Sequence, residues 1–378
     1  MGLKICDVSR QALQKRVLKS TAWLRHLLAL LLQASLSVPR PPAAASGEQE
    51  PGPIRRLLIR DASTISRPGS PGTEWRLHLT WEPFTLQLVQ VTLTDARSGE
   101  GPEDAGLQAG DLLLADRAYG IWRTIQVALD ALAFFIIRLT WSNLPLLTPE
   151  GHPFNLVAWL RRWPATQNQA EISVIAADDP QRRPFRLVVG RLPSDKAEKA
   201  RQDVRRQARK HKRPVHPNTL LAAGFCILLI NLPATLWPTQ TVLAFYRIRW
   251  QIEWCFRRWK SVCQLDRLPP YPTAIAEPVL LAKLILILLM QRHLGALPWS
   301  EWWAKAETAP VVTPAVKMIY DHLCEIIRPS AVILQLLENP ASFLRHLRSS
   351  QSFRYRRRAL LSWGIAAISP IVSVFRFI

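Results

Sequence analysis

The segment DLLLADRAYGIWRTIQVALDALAFFIIRL, residues 111–139, decides the fold class of this chain. Leu112 to Ala115 is a short apolar run that closes on Asp116, and Asp116 opens a turn-like stretch of Arg117, Ala118, Tyr119 and Gly120. A helix fits Ile121 to Leu132, and the apolar run Phe134 to Leu139 reads as a further strand. Strand, helix and strand in succession build a sheet with helices laid on it, which is an α/β arrangement and not a helical bundle.

The pattern extends in both directions. Upstream, Leu57 to Arg60, Glu74 to Trp81 and Thr85 to Leu93 read as strands separated by Gly, Pro and Asp. Downstream, strands fit Glu171 to Ala176, Phe185 to Val189 and Phe225 to Asn231, with a basic helix between the last two. Ser194 suits its N-cap, Asp195 and Glu198 its first turn, and Arg201, Arg205, Arg206, Arg209 and Lys210 its far half, before Pro214 stops it. One long helix is expected from Thr239 to Cys263 and an apolar one around Ala276 to Leu294. The chain thus divides into an N-terminal helical segment (1–38), a Pro/Ala/Gly/Ser linker (39–53), the first half of a mixed-sheet core (54–139), an inserted β-rich subdomain with the basic helix (140–235), the second half of the core (236–295) and a helical basic tail (296–378).

A chain of 378 residues with 48% hydrophobic residues can bury a sizeable core. Lys and Arg number 49 against 28 Asp and Glu, a formal charge of +21, and so large an excess calls for a polyanionic partner. A membrane surface is the rival to nucleic acid. The run Trp23 to Val38 is broken by Arg25, His26 and Gln33, and Val279 to Met290 contains Lys283, so neither supplies the roughly 20 uninterrupted apolar residues of a spanning helix. The start of the chain does not read as a secretory signal, and a cytoplasmic protein with no membrane partner is expected. Cys6, Cys226, Cys255, Cys263 and Cys324 lack CxxC pairing, which suits reduced thiols and not a zinc site or a disulfide framework.

The chemistry-bearing residues gather in YRIRWQIEWCFRRWK, residues 246–260. On a continuous α-helix, at about 100° per residue, Tyr246, Arg249, Glu253 and Lys260 share an arc of roughly 60°. A carboxylate among cations and a phenol is the mixture a metal-assisted phosphoryl-transfer site needs, the carboxylate for a divalent ion and the others for phosphates. Asp61 closes the apolar run LLIR as Asp116 closes LLLA, so both are short carboxylates at the C-terminal ends of strands, where adjacent strands present them to one point. Singly, Asp61 is a turn residue, Asp116 with Arg117 a surface pair, and Glu253 with Arg257 a helix salt bridge worth about 0.3–0.5 kcal/mol. Their order and setting in a strongly basic chain make the joint reading the better one.

Over roughly Arg55 to Leu294 the sequence resembles the bacterial insertion-sequence DDE transposases that carry a Tyr-Arg-Glu-Lys helix. The resemblance rests on DAST at Asp61, GTEWRLHL at Gly72 to Leu79, ADRAYG at Ala115, INLPA at Ile230, and Tyr246, Arg249, Glu253 and Lys260 spaced by two, three and six residues. The stretch ahead of Asp61 is short for this family, whose members usually carry a larger end-binding domain there.

The resemblance implies a ribonuclease-H-like core with a β-rich insertion between the second Asp and the Glu. It implies Mg²⁺, with Mn²⁺ able to substitute, held by Asp61, Asp116 and Glu253 as catalytic metal ligands. Tyr246, Arg249 and Lys260 would grip DNA phosphates near the cleaved end with help from Arg117, and Phe225 would receive a flipped base. The implied partners are the double-stranded element ends and target DNA, with a homodimer when two ends are synapsed. Two alternatives remain open here: a ribonuclease-H-like nuclease without strand transfer, and an inactive DNA-binding remnant.

Overall fold

The strand, turn, helix and strand read from residues 111–139 are present in the computed structural model as β4 (Asp111–Ala115), a 3-10 turn (Arg117–Tyr119), α3 (Trp122–Asp130) and β5 (Phe134–Arg138). The structure describes residues 9–36, 54–70, 72–83, 87–95, 105–164, 166–269 and 273–295. The linker at 39–53, the tail from 296 with its Arg354 to Arg358 run, Cys6 and Cys324 lie outside the described residues. Nine strands, parallel and antiparallel, and nine α-helices make up the described residues, which is the mixed α/β class expected.

The described residues divide into two compact units, one drawn from 9–36, 62–95 and 250–295, the other from 54–61 and 105–249; β1 (Arg56–Ile65) runs through both. In the second unit the strand order is β1-β4-β5-β9-β8-β7-β6, with β6 at Leu146–Leu147, β7 at Gln169–Ala176, β8 at Pro184–Arg191 and β9 at Phe225–Ile230. β1, β4 and β5 are parallel neighbours, and β9 joins β5 antiparallel through Ile136↔Ile230 and Arg138↔Leu228. The strands of the 140–235 stretch therefore carry the ladder onward without a break. Parallel strands are buried on both faces, which is why LLLA and FFII are unbroken apolar runs: Leu112 through Ala115 and Phe134 through Ile137 are all buried. One face packs Leu113, Phe135, Ile137, Leu187 and Leu229 with Tyr119, Ile125 and Trp163.

Polar side chains lock the entry to each element. Asn231 accepts from the Phe135 amide (2.8 Å) and donates to the Ala133 carbonyl (3.1 Å), so it ties the start of β5 to the end of β9. Arg186 donates to the carbonyls of Leu232 (2.9 Å) and Trp237 (3.0 Å) and pairs with Glu171, holding the loop that leads into α7 (Thr239–Phe245). α4 (Leu156–Arg161), α5 (Ser194–Lys210) and α6 (Pro217–Ala222) complete this unit. α5 is the expected basic helix, but Pro193 and not Ser194 stands at its cap position, with no side-chain cap bond.

The other unit pairs β2 (Trp75–Glu82) antiparallel with β3 (Gln87–Asp95). α1 (Arg10–Lys19), α2 (Thr21–Leu36), α8 (Trp250–Ser261) and α9 (Ala276–Gly295) belong to it, and α2 and α9 pack on each other and on β3. Lys283, whose charge argued against a spanning segment, donates to the carbonyls of Gln264 (2.6 Å) and Arg267 (2.7 Å). No helix among the described residues is long and apolar enough to cross a membrane.

Replacing Asn231 by Leu keeps the branched skeleton but strips two backbone groups of their partner. A loss of about 2 kcal/mol is expected in urea denaturation, with little change in the slope of the transition.

Candidate active site

The parallel ladder of β1 and β4 pairs Leu57 with Leu112 and so on to Arg60 with Ala115, and β4 and β5 continue that last row to Ile137. One position further along each strand come Asp61, Asp116 and Arg138. Residues in register on parallel neighbours project to the same face, and neighbouring strands lie about 4.8 Å apart. The two carboxylates are thus adjacent, on one side of the sheet, where the chain leaves the ladder. Asp61 does not end its strand, as the sequence suggests, because β1 runs on to Ile65; what ends at Arg60 is its pairing with β4. β4 is only five residues long and turns away at Asp116, whose backbone is still extended (φ −78°, ψ 175°).

The turn after Asp116 is built tightly. The Tyr119 amide donates to the Asp116 carbonyl (2.9 Å) and the Gly120 amide to the Arg117 carbonyl (3.2 Å). A Cβ at Gly120 would sit 2.7 Å from the Arg138 carbonyl oxygen, so the glycine is required by close approach of β5. Tyr119 is fully buried, and the buried Arg60 guanidinium lies over its ring at 5.7 Å. ADRAYG therefore reads as a strand end, a one-turn 3-10 reversal and a packing anchor.

The expected helix from Thr239 to Cys263 is not continuous. α7 stops at Phe245, Tyr246–Arg249 forms a 3-10 turn, and α8 starts at Trp250. In a 3-10 turn side chains at i and i+3 eclipse, so Tyr246 and Arg249 leave the backbone on the same side. Both reach the strand ends. The Tyr246 hydroxyl donates to the Ala115 carbonyl (3.1 Å), and Arg249 Nη1 donates to Asp61 Oδ2 (2.9 Å). Tyr246 is 7% exposed and Arg249 6%. Burial pushes the Tyr246 phenol far above its ordinary pKa, an effect that the Arg249 charge only partly offsets, so the hydroxyl keeps its proton. In this structure its one proton is given to the Ala115 carbonyl, inside the protein.

Asp61, Asp116, Tyr246 and Arg249 thus come together in one unit. Glu253 and Lys260 lie on α8 in the other, with Glu253 half-buried and Lys260 Nζ donating to the Thr64 carbonyl (3.0 Å). Burial lowers the Lys260 ammonium pKa, countered by Asp266. Arg117 is exposed beside Asp116. Phe225 is not available to a base: it is 5% exposed, stacked on Trp163 at 5.3 Å with the Arg191 guanidinium over it at 5.0 Å. Arg138 escaped the sequence reading, although FFIIR closes on a charged residue just as LLIRD and LLLAD do.

The donors at the strand ends are carboxylate oxygens, the hard ligands that Mg²⁺ and Mn²⁺ take, and both aspartates retain solvent access. Burial raises the pKa of the nearby Cys226 thiol and favours its neutral form. The pair therefore fits a divalent cation. Among the described residues no three His, Cys, Asp or Glu side chains converge closely enough to hold a metal on their own.

A mixed α/β protein that aligns two carboxylates past the end of a parallel ladder, within a strongly basic chain, has the layout of a phosphoryl-transfer enzyme. A family model described as "Transposase DDE domain" matches residues 52–289. The chain is 31% identical over 295 residues to the putative transposase InsL for insertion sequence element IS186A of Escherichia coli (strain K12), covering 76% of each chain, and equally to the transposase for insertion sequence element IS421 of Escherichia coli. It is 24% identical to the transposase for insertion sequence element IS231F of Bacillus thuringiensis subsp. israelensis, over 93% of this chain and 80% of that one. The chain belongs to the insertion-sequence DDE transposases. Among solved structures it is similar to the piggyBac transposase in a synaptic complex with hairpin DNA, at a TM-score of 0.41 and 10% identity, covering 82% of this chain and 57% of that one.

A methyl group at residue 120 must displace the β5 backbone. Gly120→Ala is expected to cost about 2 kcal/mol of stability, measured as a shift of the denaturation midpoint, whereas an alanine at the exposed Arg117 is expected to change it by less than about 0.5 kcal/mol.

Proposed function

We propose that this transposase cuts one strand of DNA at the end of its mobile element and joins the freed 3′-hydroxyl to a second phosphate, using divalent cations held by Asp61, Asp116 and Glu253. The observation that supports this most is the register of β1 and β4, which brings Asp61 and Asp116 side by side immediately past the last paired row. Bound there, Mg²⁺, or Mn²⁺ in its place, supplies charge neutralisation and an activated water.

The protein's own part is positioning. Asp61 and Asp116 orient the cation from the sheet, and Glu253, one methylene longer, is the third ligand from α8 in the DNA-bound form. Arg117 and Lys260 hold phosphates of the bound strand, and Arg138, in the same row as the aspartates, is placed to join them. In the first step the water oxygen bonds to phosphorus and the P–O3′ bond breaks, leaving a 3′-hydroxyl. In the second that oxygen attacks another phosphorus, and one P–O bond forms as one breaks, so no external energy source is needed. The formal charge of +21 supplies salt-dependent affinity for double-stranded DNA without sequence preference. Two element ends need two sites, so the working form is a homodimer on DNA, acting at the bacterial nucleoid.

The test is Asp116→Asn, which keeps the shape and removes the charge. It is expected to lower Mg²⁺-dependent nicking of an element-end duplex by at least about 10³-fold while leaving duplex affinity in EDTA within about twofold. Equal nicking by the variant and the wild type sinks the assignment. Pre-cut ends that the wild type fails to join to target DNA would make it a nuclease, and wild-type binding without any cleavage in Mg²⁺ or Mn²⁺ would make it a DNA-binding remnant.

A further inference from the structure

β8 and β9 are antiparallel neighbours, so the chain that links them leaves the sheet and comes back at one end. Arg191↔Phe225 is the last row of that pair, and Leu228 stands opposite Arg138, so this is the end at which Asp61 and Asp116 lie. α5 springs from it, and a helix of 17 residues extends about 25 Å. The return is pinned at the same end. His216, which precedes α6, stacks on Trp141 at 5.1 Å, and Trp141 Nε1 donates to Thr219 Oγ1 (3.1 Å).

The cations of α5 fall into two sets. Ala197 is buried and Val204 and Ala208 are half-buried, which marks the inward face. Arg201 and Arg205 pair with Glu198 (3.5 and 3.1 Å), and Arg206 pairs with Asp203 (2.9 Å). Lys199, Arg209, Lys210, Lys212 and Arg213 are exposed and have no ion-pair partner among the described residues. Eleven positions separate Lys199 from Lys210, which brings both to the outward face, within about 20° of each other and about 16 Å apart along the axis. The helix dipole accounts for Arg209 and Lys210 in the last turn, but not for Lys199 in the second. Nor does it account for the backbone of Lys212. α5 closes with the Arg213 amide on the Ala208 carbonyl (2.9 Å) and the Lys212 amide on the Arg209 carbonyl (3.1 Å). That pattern needs a left-handed residue, which glycine supplies without strain, and here it is Lys212 at φ 50°. A lysine at this position gives up stability and gains a charge.

We infer that the outward face of α5 and the turn after it hold the phosphate backbone of duplex DNA beyond the cleaved phosphate, and that Lys212 keeps its strained backbone for that contact. The surface rests on the reading of Asp61 and Asp116 as the DNA-cleaving site, since it is their end of the sheet that α5 leaves. These side chains do no chemistry. A helix of this length spans roughly seven base pairs at about 3.4 Å each, and unpaired cations along it displace counterions from the duplex. They therefore set affinity and its salt dependence, and not base preference.

Three variants of the full chain test this: Lys199→Gln with Lys210→Gln, Lys212→Gly, and Arg182→Gln as a control. Arg182 is exposed in the turn between β7 and β8, at the opposite end of the sheet. Binding of an element-end duplex is followed by fluorescence anisotropy in EDTA across a KCl series, stability by urea denaturation, and nicking in Mg²⁺ at saturating duplex. The double variant is expected to bind about tenfold more weakly, with the slope of log K against log salt reduced by about 1.8, and to nick within about twofold of wild type. Arg182→Gln is expected to leave binding and slope unchanged. Lys212→Gly is expected to bind about threefold more weakly and yet to unfold at a higher urea concentration. An unchanged slope in the double variant overturns the inference, as does a control that loses as much affinity. A large fall in nicking at saturating duplex also overturns it, by placing the lysines at the chemistry. Wild-type affinity or a lower urea midpoint in Lys212→Gly overturns the part assigned to that residue. Affinity in EDTA needs no metal, so a wild type that binds duplex but never nicks it in Mg²⁺ or Mn²⁺ defeats the cleavage reading, while the salt slopes still decide the surface.

Discussion

The register of one parallel strand pair governs the rest of this structure. β1 and β4 share five rows, from Arg56↔Asp111 to Arg60↔Ala115, and all of Leu57, Leu58, Ile59, Leu112, Leu113 and Leu114 are buried in them. A slip of one residue would turn every side chain of β1 to the opposite face, carrying Arg60 to the Asp61 side and burying a carboxylate in the core. The hydrophobic effect that buries these leucines, about 25 cal/mol per Å² of apolar surface, therefore also aligns the acids. Arg56 reinforces the register from the other end by pairing with the buried Asp111 at 2.6 Å. The site is downstream of packing.

A second layer of polar contacts converts alignment into orientation. Arg186 and Asn231 hold the loop and strand edges that deliver the chain to α7, and the 3-10 turn after α7 places Tyr246 and Arg249 against the strand ends. Each of these contacts uses a long or branched polar side chain to reach a backbone group or carboxylate that regular secondary structure leaves without a partner. The Arg249–Asp61 pair is largely buried, so its value lies in fixing a geometry more than in net stability, because two desolvated charges recover little beyond what their hydration cost.

Most elements were legible because their periodicity is strong. The apolar runs Leu112 to Ala115 and Phe134 to Leu139 match β4 and β5 nearly to the residue, and the charge pattern of 194–210 matches α5. The candidate aspartates were legible for the same reason, as polar residues at the mouth of buried strands. What sequence could not reveal is the break at Tyr246. YRIRWQIEWCFRRWK has no Pro or Gly to interrupt a helix, and the 3-10 turn is imposed by tertiary contacts of Tyr246 and Arg249 that come from residues 131 and 188 positions away. Phe225 misled for a related reason: an aromatic at a strand start reads the same whether it faces solvent or, as here, lies between Trp163 and Arg191. Arg138 needed only the comparison of three strand endings, which the sequence does contain.

The ion pair between Asp61 and Arg249 also has a temporal meaning. Its partners are separated by 188 residues, so on a ribosome the aspartate emerges long before the arginine that holds it. The strands that lie beyond β5 in the sheet, β6 to β9, are all made in the interval. Contacts of such long sequence separation are slow to close. A nascent chain of this transposase therefore exposes Asp61 without its guanidinium clamp until translation has passed Arg249, and any copy of the reading frame cut short before that codon leaves this aspartate unlatched.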